Sequence, residues 1–124
     1  MRIKNQEDRD REFIKKTIES HVKFLIERRD SLKSAFVHCL DSKAVLELLP
    51  DDNLVQKAYE EWKDCFQSAD REYFSARTDF YNVLQKLAGE YPDIYIDQDS
   101  YRYEWLSAYQ YLEKWYKEYR MGKI

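Results

Sequence analysis

Residues 51–89 read DDNLVQKAYEEWKDCFQSADREYFSARTDFYNVLQKLAG, and their periodicity decides the fold. Apolar residues recur at Val55, Ala58/Tyr59, Trp62, Cys65/Phe66, Ala69, Tyr73, Ala76, Phe80, Val83/Leu84 and Leu87. That is the i, i+3, i+4, i+7 spacing of one face of an α-helix. Asp51 and Asp52 put negative charge where a helix N-terminus favours it. Gly89 is placed to act as a left-handed C-terminal cap, with Pro92 beyond it. The spacing predicts a helix over about 53–88, roughly 53 Å long.

Working towards the N-terminus, Ile14, Ile18, His21/Val22, Leu25, Leu32, Phe36 and Cys39/Leu40 keep the same spacing, and no Gly or Pro occurs before Pro50. A first helix is expected over about 8–40. Asp41 or Ser42 then caps a short helix near 43–49 at the hairpin tip, stopped by Pro50. On the other side, Asp99 or Ser100 caps a third helix over about 99–121, which Gly122 ends. Its apolar face is Tyr101, Trp105, Tyr109, Leu112, Trp115/Tyr116 and Tyr119, opposite Arg102, Gln110, Glu113, Lys117 and Arg120. Short connections make sequential helices antiparallel neighbours. The expected fold is therefore all-α: one domain, 1–124, forming an antiparallel up-down-up bundle of three long helices with coiled-coil-like packing. An extended hairpin that swaps or dimerises to complete its core is the alternative.

The totals agree. Two Gly and two Pro in 124 residues leave few places for tight turns or sheet connections. Charged residues reach 36% and are well mixed, as long solvated helix faces require, and 16% aromatics with eleven Tyr argue against disorder. A net charge of -3 supplies no basic stripe for duplex nucleic acid or anionic lipid. No apolar run approaches the roughly 18 residues of a membrane span, and Met1–Asp10 lacks the apolar core of a leader. A cytosolic protein with no direct nucleic-acid or membrane partner is expected.

The unequal helix lengths carry the functional reading. Joining helices 1 and 2 near residues 46–47 opposes residues whose numbers total roughly 93, which sets Cys39 and Cys65 about eleven residues, or ~16 Å, apart along the axis. A disulfide needs its α-carbons within about 7 Å, so free thiols and a reducing compartment are expected. Helix 3 covers only about 66–88 of helix 2 and 8–30 of helix 1. In those halves Phe13, Phe24, Phe74, Tyr81 and Ala88 widen the apolar faces, as contact with two neighbours requires. The other half holds Phe36, Leu40, Leu46, Leu49, Val55, Tyr59 and Trp62, over which only the 43–49 segment can fold. These residues are the candidate partner-binding surface, joined by Tyr103 and Tyr111, which lie off the core side of helix 3. Beside Tyr103 the acidic residues Glu90, Asp93, Asp97 and Asp99 suit a basic partner.

Catalytic constellations are sparse. His21 falls on the core face and reads as a packing residue. His38 and Cys39 diverge by about 100° on their helix and cannot chelate one ion together, so neither metal nor cofactor is expected. Arg28 and Arg77 fall on core stripes, with Asp64 or Glu61 in reach of the first and Glu12 or Glu19 of the second, either snorkelling to the rim or fixing register. Glu60, Glu61 and Asp64, followed by Glu90 and Asp93, resemble in outline the magnesium-holding carboxylates of helical nucleotide pyrophosphatases. Asp64 stands where that pattern has Glu, and Pro92 keeps Glu90 and Asp93 off a shared helix face. No Gly-rich phosphate loop or nucleophile elbow is present.

The leading expectation is a non-enzymatic protein–protein interaction module, of the inhibitor, immunity or adaptor type, that docks on another protein. A structural role through self-association, as a homodimer or assembly component, comes second. Behind these stand an acidic nucleic-acid mimic, which a charge of -3 scarcely equips, and the pyrophosphatase.

Overall fold

The computed structural model describes residues 4–92 and 104–122. Among the described residues there are three helices and no strand: α1 spans Lys4–Leu48, α2 Asn53–Glu90 and α3 Glu104–Arg120. The all-α bundle follows the apolar periodicity, and no helix of the described residues is long and apolar enough to cross a membrane.

Helix α1 corrects the sequence reading. It runs for 45 residues without a break, and the separate short helix expected near 43–49 is simply its last two turns. Asp41 and Ser42 are interior residues, not caps. A poor helix former in a helix interior costs at most about 0.7 kcal/mol, which is too little to break a helix that no Gly or Pro interrupts. Pro50 does break it, because it has no N–H to donate and disfavours helical geometry at Leu49. The Asp52 amide donates to the Leu49 carbonyl at 3.2 Å, closing a four-residue turn with Pro50 at its second position. Asp52 is then the cap of α2. Its Oδ1 accepts from the amides of Leu54 at 2.9 Å and Val55 at 3.2 Å, while its carbonyl accepts from Gln56 at 3.0 Å.

The other ends are set differently. Gly89 is an ordinary helical residue and not the left-handed cap expected of it. α2 continues to Glu90 and stops before Pro92, the Tyr91 amide still donating to Leu87 at 2.9 Å. Gly122 does adopt a left-handed backbone, with φ 72°, and closes α3 through its amide to the Tyr119 carbonyl at 3.0 Å. Residues 93–103, with the Asp99/Ser100 cap and Tyr101, lie outside the described residues.

The chain divides into two compact units, one of Met1–Ile26 with Thr78–Ile124 and one of Glu27–Arg77. In the first, the core joins Ile14, Ile18, Val22 and Leu25 of α1 to Phe80, Leu84 and Leu87 of α2 and Tyr109, Leu112 and Tyr116 of α3. Phe80 organises it. His21 stacks on this ring at 5.5 Å, and Tyr109 meets it edge-on at 4.7 Å and 89°. His21 also donates through Nδ1 to the Thr17 carbonyl at 3.0 Å, so it is a packing residue as expected. The residues that widen the apolar faces are less enclosed than this core: Phe13, Phe24 and Tyr81 are 43–52% exposed, Phe74 of the second unit 49%, and Ala88 is exposed. Among the described residues of α3, Tyr109, Leu112 and Tyr116 are buried.

In the second unit the core is Leu32 and Ala35 of α1 with Ala69, Tyr73 and Ala76 of α2. Arg28 faces Glu72 at 2.9 Å, Phe36 faces Phe66 at 5.5 Å and His38 faces Trp62 at 4.3 Å. Opposed residue numbers therefore total about 101, roughly two helical turns from the 93 anticipated. The cause is the turn at 49–52, displaced because α1 outruns its expected end. Arg28 consequently pairs with Glu72 instead of Asp64 or Glu61. Glu12 and Glu19 in turn face Lys16 and Lys23 along α1, and Arg77 is half-buried. The two cysteines are free, but not for want of proximity along the axis. The corrected register sets them within about one turn. Cys39 sits half-buried in the seam, whereas Cys65 is one position off it and exposed.

Three stability outcomes follow from this packing and capping. Phe80→Ala should cost about 3–5 kcal/mol in urea unfolding followed by circular dichroism, and Trp62→Ala distinctly less, since its site already opens to water. Equal losses would contradict an open tip. Asp52→Ala should cost about 1 kcal/mol, through loss of the cap of α2.

Candidate docking surface at the turn end of the second unit

Burial in the second unit fades towards the turn. From Phe36 to Ser68 no residue is buried. The seam continues as Phe36, Cys39, Ser42 and Leu46 of α1 against Val55, Tyr59, Trp62 and Phe66 of α2, all half-buried. Two helices can shield only the facing sides of such a seam, and the flanks stay wet.

Of the residues singled out in the sequence, Phe36, Leu46, Val55, Tyr59 and Trp62 line this seam, while Leu40 and Leu49 are about half exposed. Tyr111 is 74% exposed but belongs to the other unit, and Tyr103 with Asp93, Asp97 and Asp99 lies outside the described residues. Four surface residues escaped the sequence reading, and Ala58, read as part of the stripe of α2, is exposed as well. Val37, Val45, Leu48 and Leu54 are large and exposed, Leu48 and Leu54 to 81% and 80%.

These residues form two faces. Val37, Leu40, Ala44 and Leu48 recur at i, i+3, i+7, i+11, a stripe about half a turn around α1 from the seam. Along α1 from Val37 onward, therefore, both the inward and the outward face are apolar. On one flank of the seam a shallow cavity of about 220 Å³ is lined by Asp41, Ser42 and Val45 of α1 and Val55 and Ala58 of α2. A cavity of this size holds one or two aliphatic side chains, not a substrate with many polar groups.

His38 borders the same flank. Although exposed, it lies flat against Trp62 with an interplanar angle of 18°. Its Nδ1–H donates to the Ser34 carbonyl at 2.7 Å, which fixes the ring over the indole. His38 is thus an aromatic cover for the one Trp of the seam. Its other ring nitrogen, Nε2, has no role in holding it there.

The charges around this end differ from those along the first half of α1. On α1 before Glu27, carboxylates pair one turn along the helix: Glu7 with Arg11 at 2.6 Å, Glu12 with Lys16 at 3.9 Å and Glu19 with Lys23 at 2.9 Å. The hydrogen bond from Lys23 holds the Glu19 carboxyl below its ordinary pKa. Among the described residues, no ion pair involves Asp41, Glu47, Asp51, Glu60, Glu61 or Asp64. Nor do three His, Cys, Asp or Glu side chains converge among them as a metal ion would require. Glu60, Glu61 and Asp64 are exposed, and Glu90 sits 3.8 Å from Lys86 on α2.

The stacked pair gives a direct readout. With Trp105 and Trp115 replaced by Phe, His38→Ala should raise acrylamide quenching of Trp62 and cost about 0.5–1.5 kcal/mol of stability. Unchanged quenching would mean that the imidazole does not cover the indole in solution. No protein-family model matches the chain, and comparison with curated proteins and with solved structures finds no significant match.

Proposed function

We propose that this chain is a non-enzymatic interaction module of the cytosol, of the inhibitor, immunity or adaptor type, which docks on another protein through the turn end of its second unit. One observation carries the reading: over the stretch from Phe36 to Ser68 nothing is buried, while Leu48 and Leu54 stand largely in water and Val37, Leu40, Val45 and Leu49 about half so. Burying a side chain of this size is worth about 1.5–3 kcal/mol, so covering even one of the two faces is a drive to associate. Isolated exposed aliphatics are ordinary, but a contiguous apolar patch marks an interaction surface. The small apolar cavity and the rigid His38–Trp62 stack supply the pocket and the aromatic anchor that interface centres use.

Self-association as a homodimer or assembly component is the second reading. It is favoured by the stripe Val37, Leu40, Ala44 and Leu48, whose spacing is that of a helix-pairing seam.

Sedimentation over a wide concentration range separates the two readings. A monomer throughout supports docking on another protein, and a dimer abolished by Leu48→Glu supports self-association. A photocrosslinker placed at Leu54 and, as control, at exposed Asn82 tests the surface itself. Adducts should form from position 54 and not from 82. Equal labelling at both would remove the turn end as the docking site.

A further inference from the structure

The charge pattern of the turn end identifies the chemistry of its partner. Residues 37–65 carry seven carboxylates, Asp41, Glu47, Asp51, Asp52, Glu60, Glu61 and Asp64, against three lysines, Lys43, Lys57 and Lys63. That net of -4 exceeds the -3 of the whole chain, so the remainder is close to neutral and the negative charge is concentrated where the apolar surface lies. All seven are exposed, and only Asp52 is spent on structure, as the cap of α2. Glu12 and Glu19 each precede a lysine by one turn and pair with it, whereas at this end Lys43 precedes Glu47 and Lys57 precedes Glu61, the weaker order, and neither pair closes.

Position matters as much as number. Asp41 lines the cavity together with Val45, Val55 and Ala58. Leu54, Ala58 and Glu61 share one side of α2 at i, i+4, i+7, which brings Glu61 to the opposite border of the same flank. An apolar floor is thus edged by a carboxylate on each helix. A second copy would bring its own -4 to this place, and like charges across an interface cost affinity and register.

We propose that the flank of the second unit containing this cavity binds an amphipathic helix of another protein, with its apolar stripe bordered by Lys or Arg. This inference rests on the docking reading above and names the partner's chemistry. The guest helix completes a local three-helix bundle. One aliphatic side chain enters the cavity between Val45, Val55 and Ala58, and cations on either side of the stripe meet Asp41 and Glu61. A helix suits this place because its own hydrogen bonds satisfy its backbone, so it can cover an apolar seam without unpaired amides.

The test is panning of displayed amphipathic helices against the full-length chain, with the apolar stripe fixed as Leu and the bordering positions randomised among Lys, Arg, Gln and Glu. Lys and Arg should be enriched on both borders. The recovered helices should lose about tenfold or more in affinity for the Asp41→Lys/Glu61→Lys variant, and more again for Val45→Arg. Affinity for the parent chain should fall with added salt. All of these side chains are exposed, and circular dichroism verifies that each variant keeps its helices. Helices recovered with Glu or Gln borders, or bound equally by the charge-reversed chain, overturn the basic partner while leaving a docking surface. Recovery of none, from a chain that crosslinks to other proteins through position 54, overturns the helical partner. A chain already dimeric by sedimentation and released to bind helices by Leu48→Glu identifies a second copy as the occupant, which also overturns it.

Discussion

The absence of any Gly or Pro before Pro50 governs the second unit. A helix once nucleated propagates through mediocre residues, so α1 passes Asp41 and Ser42 and ends only where proline removes a donor. That end fixes the turn at 49–52, the turn fixes which residues oppose one another, and the register decides which apolar side chains find a partner. Arg28 meets Glu72 and His38 meets Trp62 because of where one pyrrolidine ring sits. The open flank at the turn is a product of the same constraint: a final stretch of α1 that continues straight cannot also fold back over the seam.

The two units therefore solve the same problem differently. Where α3 is present, Phe80 is fully enclosed, with contacts from His21 and Tyr109. In the second unit, Leu32 and Tyr73 are enclosed close to Ala35, Ala69 and Ala76, small residues that let the two helices approach closely. From Phe36 and Phe66 to the turn the seam mixes the small Cys39 and Ser42 with the bulky Leu46, Tyr59 and Trp62, and the enclosure ends. Phe36, Leu46, Tyr59 and Trp62 are core by residue type and surface by location. The docking proposal rests on this mismatch between chemistry and burial.

The helices and their apolar stripes were legible in the sequence, because a period of 3.6 maintained over ten or more residues admits few other structures. So was the exposed end, deduced from the shortness of the third helix. Two things were not. Asp41 and Ser42 resemble caps, and capping residues signal a helix start only if the chain before them has already left the helix; nothing local in the sequence distinguishes the two cases. The error moved the register by about two turns and misassigned the partners of Arg28. The outward stripe of Val37, Leu40, Ala44 and Leu48 was hidden by the same mistake, since it exists only on an unbroken α1. The aromatic flanks Phe13, Phe24, Phe74 and Tyr81 are about half exposed, which periodicity alone does not reveal. A wide apolar face shows that burial is available, and how far the neighbouring helix reaches decides how much of it is used.

The fading of enclosure towards Pro50 also has a dynamic meaning. Local opening costs roughly what the opened segment had buried, so the last turns of α1 and the first of α2 unzip at a small fraction of the global unfolding free energy. Backbone amides there exchange with solvent long before those around Leu32 or Tyr73. A ligand that seats on such a segment arrests this fraying, and part of its binding energy goes into ordering the site it occupies.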